Sequence, residues 1–488
     1  MDTTTATSAA APRISDSRAT AVIITLCFGS LAGALMQSLV IPIQSELPAL
    51  LDTSAANASW AITATLLAGG VSMPVTGRLA DMYGKKRVMV ACAAILVVAS
   101  LLCAVGTGLV PFLLGRALQG IAMGYIPVAI SAVRALAPRE KQATAVATVS
   151  ATLGVGGAIG LPLSAWIAQT FDWHALFYVS TALAVVVLAA TALVVPATGD
   201  THPARLDLVG LALMAVGLVS LLVGISKGST WGWGSGTTWA CIVGGLVVLV
   251  IFGLFELRHH DPLVDVRTMG HRPVFFTNIA AVLIGFGMMA SSIVVPQLLQ
   301  MDERTGYGLG QTILQAGMWM FPGGLMMMVF APISARLINA IGARLTLAIG
   351  AFVVACGYVF GAFMMDAPWK LMVSVIISSA GVGIGYAAFP TLIMDNVPLA
   401  EAGSSVGVNS LMRSVGTTTA GAVMAAVLTS KTMELGGFSI PSESAFQLCF
   451  FVGAGAAVAG ALVALLVPAR TRRSAGRPDT PEPGKVNA

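Results

Sequence analysis

The chain has 488 residues, of which 57% are hydrophobic and only 10% are charged, and its formal net charge is +5. Soluble domains carry about 25% charged residues, so this composition excludes a water-soluble globular protein and indicates an integral membrane protein. The six cysteines lie in apolar segments without paired spacing, which argues against a disulfide framework and a zinc site. No metal site is predicted.

Fourteen apolar runs have about twenty residues or more, the length that an α-helix needs to cross roughly 30 Å of hydrocarbon. We number them helix 1 to helix 14 in chain order. The first run lacks a small-residue cleavage site, so it is predicted to be a retained span. The predicted limits are 20–43, 57–77, 88–107, 110–137, 142–168, 175–196, 206–226, 236–257, 273–299, 311–335, 345–364, 370–393, 402–428 and 443–467.

The distribution of Lys and Arg predicts the orientation in the membrane. Of the 26 such residues, two lie well inside spans and four fall on the predicted outer side, which leaves twenty for the loops, tails and helix ends of the inner side. This positive-inside bias predicts a multi-pass protein of the cell (inner) membrane with cytoplasmic tails at 1–19 and 468–488. Because the charges are scattered over many short loops, nucleic acid is not a predicted partner.

The sequence also repeats itself. Residues 335–348 echo residues 77–90, and both stretches follow the second helix of a six-helix set. The repeat predicts two six-helix bundles, 20–196 and 273–467, with a two-helix insert at 206–257. Parallel repeats of this kind are typical of transporters that rock two bundles around a central site.

Residues 77–90 concentrate charge between two apolar runs. We interpret Gly77 and Gly84 as glycines of a tight cytoplasmic turn. Asp81 is expected to cap a helix start or to pair with a cation, either one of its neighbours or an Arg of another helix. Such a clasp would close the cytoplasmic face, whereas the alternative is that the basic residues only fix the loop inside. The residues assigned to the clasp are Gly77, Arg78, Asp81, Gly84, Lys85 and Arg87.

Two arginines lie within apolar spans, Arg116 in helix 4 and Arg413 in helix 13. A charge inside the bilayer costs at least ~2.5 kcal/mol, so each side chain should face protein or a water-filled cavity. We favour a cavity cation for Arg116 over snorkelling to the interface. For Arg413 we slightly favour helix packing beside Asn409 and Ser410.

Helix 5 carries Gly156, Gly160 and Ser164 at four-residue spacing. This stripe of small residues predicts a surface against which another helix packs closely, as a hinge or a seal.

These motifs together resemble a known family. Residues Gly77 to Arg87 resemble the loop signature of the major facilitator superfamily, and Leu113, Arg116, Gln119 and Gly120 resemble its helix-4 motif. Residues 154–165 resemble the helix-5 motif of its antiporters, although Pro162 is displaced by one position. The fourteen spans, Asp207 with Gly210, and residues 261–263 narrow the resemblance to the fourteen-helix drug:proton antiporters.

The resemblance implies a cavity lined by helices 1, 4, 9 and 12. Methionine and aromatic side chains with a few amides suit amphiphilic ligands of varied shape. The predicted lining residues are Met36, Gln37, Met123, Tyr125, Asn278, Phe286, Met289, Gln297, Tyr386 and Phe389.

One departure from the family concerns charge. Gly33 stands where relatives carry an Asp in helix 1, and none of the 21 Asp and Glu residues falls in the middle of a predicted span. A desolvated cation needs a fixed anion, so neutral or anionic amphiphiles are expected to be preferred over dicationic dyes. Proton coupling is expected to rest on a rim carboxylate such as Glu46 or Asp81, or on the substrate itself.

The predicted function is a secondary transporter that exports small amphiphilic molecules and uses the proton gradient without a cofactor. It is predicted to be a monomer. No GxxxxGK[ST] phosphate loop is present, and His259-His260-Asp261 is interpreted as a solvated loop, so no enzymatic activity is predicted. The alternatives are a weakly coupled facilitator, a lipid-like flippase, or a non-transporting membrane sensor.

Overall fold

A computed structural model describes residues 16–41, 43, 46–197, 206–435 and 438–468. The predicted tails therefore lie almost entirely outside the described residues. The membrane-length helices are Asp16–Ser38 (helix 1), Trp60–Tyr83 (2), Lys85–Val105 (3), Leu109–Ala122 with Tyr125–Leu136 (4), Gln142–Thr170 (5), His174–Val194 (6), Leu208–Trp231 (7), Gly236–Glu256 (8), Arg272–Gln300 (9), Ile313–Ile341 (10), Ala343–Phe363 (11), Pro368–Gly385 with Ala388–Met394 (12), Ala402–Ser430 (13) and Glu443–Leu466 (14).

Short elements connect these helices. Single helical turns or slightly longer segments occupy Leu47–Leu50, Ala55–Ala58, Arg139–Lys141, Val266–Gly270, Glu303–Thr305 and Leu399–Glu401. Strands Thr432–Leu435 and Phe438–Pro441 form an antiparallel hairpin before helix 14, with Met433 opposite Ile440. The sequence analysis did not predict this hairpin.

Each predicted span corresponds to a helix. Thirteen segments of the described chain are long and apolar enough to cross a membrane by length and composition. Helix 2 has 24 residues but is not among them, because Gly, Ser, Thr and Pro alternate with its apolar residues. The protein is thus an all-α, multi-pass membrane protein.

Several predicted limits were wrong near charged or polar residues. Helix 1 ends at Ser38, although its apolar run continues to residue 43. Helices 2 and 10 extend past their predicted ends to Tyr83 and Ile341, so the charged motif at 78–83 is helical. Charged residues end an apolar run, but they do not end a helix whose backbone hydrogen bonds continue.

The packing repeats between the two halves of the chain. In the first half helix 1 packs on 5 and 6, helix 3 on 4 and 6, and helix 2 on 4. In the second half helix 9 packs on 13 and 14, helix 11 on 12 and 14, and helix 10 on 12. The halves meet along two main seams, helix 2 against helix 13 and helix 5 against helix 10.

Helices 7 and 8 pack mainly on each other and attach to only one seam. Helix 7 contacts both helix 2 and helix 13. Leu222 of helix 7 and Leu411 of helix 13 both approach Gly70 of helix 2. Near the C-terminal end of helix 7, buried Lys227 donates to Ser59 Oγ at 2.5 Å and lies 4.6 Å from the centroid of the Trp60 ring. The insert therefore covers the helix 2–helix 13 seam.

Candidate substrate cavity and interbundle clasp

A small cavity lies inside the first bundle, between helices 1, 2, 3, 4 and 6. Its lining includes Gly33, Met36 and Gln37 from helix 1 and Met123 and Tyr125 from helix 4. The four predicted lining residues of the first half, Met36, Gln37, Met123 and Tyr125, therefore come together in one place. Small residues make this possible, since a β-carbon on Gly29 would lie 2.4 Å from the Tyr125 ring.

Arg116 is the charged residue of this cavity and is only 1% exposed. Its Nε donates to the carbonyl of Ala61 at 3.1 Å, and Nη1 donates to Gln119 Oε1 at 2.5 Å and to the carbonyl of Met36 at 3.4 Å. Gln119 is held in turn by a 3.1 Å bond to Ser100 Oγ. Arg116 does not snorkel, because its guanidinium is bound by neighbouring helices inside the bundle.

Helix 4 is interrupted beside this cavity, between Ala122 and Tyr125. Pro127 follows and cannot donate the backbone hydrogen bond that would continue the helix across Met123. Helix 12 is interrupted in the same way, since Pro390 follows a break at Tyr386. Sequence reasoning missed both breaks, although the two prolines were a usable signal. Broken helices place backbone and side chains at central binding sites of transporters.

In the second half, the candidate residues gather around Arg413. The Arg413 guanidinium lies 4.6 Å from the centroid of the Tyr386 ring, which packs edge-on against buried Phe389. Asn409 Nδ2 donates to Asn278 Oδ1 at 2.9 Å, which joins helix 13 to helix 9. Arg413 thus has both an aromatic contact and a packing role, as a β-carbon on Gly285 of helix 9 would lie 2.9 Å from its Cγ.

Four predicted residues are less closely connected to these clusters. Phe286 packs partly buried against the core of the second bundle, and Met289 is half-buried. Gln297 and Glu46 are exposed, and neither lines the small cavity. The structure therefore does not bring Glu46 together with Arg116.

The clasp residue Asp81 is buried, with 2% exposure, and bridges the two bundles. Its Oδ1 accepts from the backbone N–H of Gly403 at 3.1 Å, and its Oδ2 accepts from that of Ser404 at 2.9 Å. These N–H groups belong to the first turn of helix 13, where the helix dipole also favours an anion. Asp81 therefore caps the start of a helix, which is one of its two predicted roles, and this helix belongs to the opposite bundle.

The other clasp residues surround this contact. Gly77 lies inside helix 2 and not in the turn as predicted; its role is close approach, because a β-carbon there would lie 2.3 Å from the carbonyl oxygen of Gly403. Gly84 forms the turn between helices 2 and 3, with a φ of +97°. Lys85 is buried, Arg78 is half-buried, and both cations are within electrostatic range of Asp81. Arg87 is exposed.

A second contact across the bundles was missed by the sequence analysis. Arg134, at the end of helix 4, donates through Nη1 to the carbonyl oxygen of Met394, at the end of helix 12. A basic residue next to a polar loop gives no sequence signal for such a partner. With Asp81, it joins the two bundles at the predicted cytoplasmic face.

Residues of the helix-5 motif pack against two different helices. A β-carbon on Gly156 or Gly160 would meet Leu31 O or Ser38 Oγ, so these glycines pack on helix 1 within their own bundle. Ser164 bonds back to the carbonyl of Leu161. Pro162 instead faces Gly317 of helix 10, across the seam between the bundles.

The Asp207 and Gly210 pair marks the start of helix 7. Asp207 Oδ1 accepts from the N–H groups of Val209 and Gly210 at 3.0 and 2.9 Å and so caps the helix. Both oxygens of Glu256, at the end of helix 8, accept from the N–H of Leu263. Asp207 and Glu256 therefore lie side by side at one end of the insert.

Comparison with known proteins places this arrangement in a family. The protein is 23% identical to the uncharacterized MFS-type transporter YhcA of Bacillus subtilis (strain 168) over 84% of this chain and 77% of that one. It is 25% identical to the multidrug transporter protein MdtP of the same organism, over 85% and 76% of the two chains. The crystal structure of the human organic anion transporter MFSD10 (TETRAN) superposes with a TM-score of 0.64 at 16% identity, covering 91% of this chain and 99% of that one. Residues 26–421 match the family model for the Major Facilitator Superfamily, and the chain belongs to that superfamily.

Proposed function

We propose that this protein is a secondary transporter that exports small amphiphilic molecules across the cell membrane by alternating access. A proton gradient drives the export, and both termini lie in the cytoplasm. Neutral or anionic substrates are preferred over dications. The similarity to a relative named as a multidrug transporter supports export of drug-like molecules.

The proposed substrate preference is inferred from the charge of the small cavity. In the described chain, the Arg116 guanidinium donates to neutral oxygens. The described lining residues include no Asp or Glu, and Gly33 lies among them, at the position where the resemblance to the drug:proton antiporters implies an Asp. A buried cation without a fixed counterion favours an anion or a polarisable neutral group and disfavours a second cation.

The closed clasp supports alternating access. Asp81 and Arg134 join the bundles on the predicted cytoplasmic side through hydrogen bonds to backbone groups. Backbone hydrogen bonds of this kind are released by a rigid-body movement of one bundle without unfolding either helix. Two bundles that separate at such contacts give a bistable element of the kind a transporter needs.

The decisive test uses purified protein in proteoliposomes under an imposed pH gradient. A dication, a monocation, a neutral compound and an acid of similar size are compared for uptake rate. We expect the neutral or acidic compound to be fastest and to depend on the gradient. Fastest handling of the dication would overturn the preference, rates independent of the gradient would indicate a facilitator, and no transport of any compound would favour a sensor.

A substitution at Gly33 sharpens this test. A β-carbon there would meet nothing closer than Ile126 Cδ1 at 3.7 Å, so the site has room for a side chain. We expect Gly33→Asp to raise export of the monocation relative to the neutral compound several-fold, because it supplies the missing anion. Gly33→Asn is the matched control of equal size, and an equal shift in both variants would contradict the electrostatic explanation.

A further inference from the structure

The inserted helices carry a buried pair of carboxylates that the proposed transport function does not use. Asp207 begins helix 7 and Glu256 ends helix 8, and the two side chains are 6% and 3% exposed. They meet at Gly210, where a β-carbon would lie 2.3 Å from Asp207 Oδ2 and 2.5 Å from Glu256 Oε1. The two oxygens therefore lie no more than about 5 Å apart.

The hydrogen bonds of this pair leave one oxygen without a donor. In the described part of the chain, Asp207 Oδ1 accepts two backbone N–H groups, whereas Oδ2 is buried and has no hydrogen-bond partner. Glu256 accepts from the N–H of Leu263 and from the adjacent backbone. A buried carboxylate oxygen without a donor is costly, and two carboxylates sharing such a site do not both ionise readily.

The described side chains around the pair include both cations and further acids. Arg78 of helix 2 is within electrostatic range of both Glu256 and Asp81, and Lys85 of helix 3 is within range of Asp81. Arg267 is exposed, and its Nη2 donates to the carbonyl of Leu257, next to Glu256. Asp265 and Glu401, from two different loops, both accept from Thr268 Oγ1. A proton shared by the two buried carboxylates removes one of their charges.

We propose that Asp207 and Glu256 form a proton-binding site that holds one proton between Glu256 and Asp207 Oδ2 while the clasp is closed. Proton binding to the pair leaves Arg78 available to Asp81. Loss of the proton to the cytoplasm leaves both carboxylates charged, so that they attract Arg78 and repel Asp81. The insert thereby makes closure of the clasp depend on cytoplasmic pH, with a closed clasp while the pair is protonated and Asp81 is ionised, and a weaker one once the pair loses its proton. This inference does not depend on which substrate is carried.

Infrared spectroscopy of the purified protein in lipid nanodiscs tests proton binding directly. A protonated carboxyl group has a carbonyl stretch that is separate from that of a carboxylate, and the band is followed as the pH is raised. We expect one titrating band that is lost in Glu256→Gln and is lost or displaced in Asp207→Asn, which retains the helix cap because Asn is also a good cap residue. Glu140→Gln, at an exposed carboxylate of the predicted cytoplasmic side, is the matched control and should leave the band unchanged. A band unaffected by both substitutions in the pair would overturn the proposal, as would its absence from the unaltered protein.

A second measurement tests the link to the clasp and does not require transport. Spin labels on the exposed positions 87 and 336 report the separation of the two bundles at this face. We expect the open population to increase with pH in the unaltered protein and in Glu140→Gln. In Glu256→Gln, which mimics the protonated form, the closed population should persist at high pH. Equal pH dependence in Glu256→Gln and Glu140→Gln would contradict the coupling, whereas failed transport with a normal infrared titration would concern only the proposed function.

Discussion

Residues 77–90 and their repeat at 335–348 differ sharply in what surrounds them. The two turns share a backbone conformation, since Gly84 and Gly342 have φ values of +97° and +87°. In the first copy Asp81 is buried and caps helix 13, whereas its counterpart Asn339 is exposed. The repeat therefore preserves the turn that joins two helices, while the clasp exists in only one copy.

The inserted helices explain part of this difference. Helix 7 covers the seam between helices 2 and 13, where the first copy lies, and the end of helix 8, which packs on helix 7, brings Glu256 within electrostatic range of Arg78. Helices 5 and 10 form the related seam, in which Gly154 and Pro162 face Met327 and Gly317. One seam is thus stabilised by charge and backbone caps and the other by apolar packing. Substitutions at matched positions should separate the two contributions.

The largest effect is expected from removal of the first-half cavity cation. Arg116→Ala deletes a guanidinium that holds Ala61, Met36 and Gln119, and we expect transport to be abolished with normal membrane insertion. Arg413→Ala should reduce transport only in part, because its partner is the face of the Tyr386 ring. Arg116→Lys separates charge from geometry, since it keeps the charge but not the forked donors. Uptake in proteoliposomes is the measurement, and equal losses in Arg116→Ala and Arg413→Ala would show that the halves are functionally equivalent.

The next largest effect is expected at Asp81. Hydrogen bonds to a charged group contribute about 1.5–3 kcal/mol, so losing one of the two caps should alter the conformational equilibrium by ~10-fold or more. We expect Asp81→Asn to insert and bind ligand but to transport roughly ten times more slowly. Asn339→Ala is the control at the exposed counterpart and should transport normally. Normal turnover in Asp81→Asn would leave the loop with only its role in membrane orientation.

A smaller effect is expected from the glycine that permits close approach. Gly77→Ala places a methyl group against the carbonyl of Gly403 and should shift the label distance between positions 87 and 336 toward the open state. The counterpart residue is already Ala335, so Ala335→Gly should change this distance little. A closed distance in Gly77→Ala would mean that helix 13 accommodates the methyl group by moving.

The smallest effect on transport is expected where the two copies agree. Gly84→Ala and Gly342→Ala each impose a positive φ on a residue with a β-carbon, which costs about 1–3 kcal/mol. Both variants should therefore lose similar stability in thermal unfolding and retain transport. Unequal losses would show that the environment of the turn, and not its backbone, determines the cost.

The sequence by itself determined that the protein lies in a membrane, how many membrane-length helices it has, and that its two halves repeat. These follow from local quantities, because a run of about twenty apolar residues satisfies its own backbone only as a helix in lipid. The sequence also identified Asp81 as a cap or ion-pair residue and Arg116 as a buried cation, since a charge in an apolar environment needs a partner. It grouped Met36, Gln37, Met123 and Tyr125 in one cavity only through the resemblance to a family.

Only the tertiary structure decided which residues these side chains contact. Asp81 caps helix 13 at Gly403 and Ser404, which lie 322 and 323 residues further along the chain. No local pattern encodes contacts over that separation. Glu256 and Asp207 meet because helices 7 and 8 form a hairpin whose ends return to the same face. The sequence predicts Gly77 in a turn, but the close approach of Gly403 across the seam gives it a different role. Long-range contacts depend on how helices pack, and packing is a property of the whole set of helices.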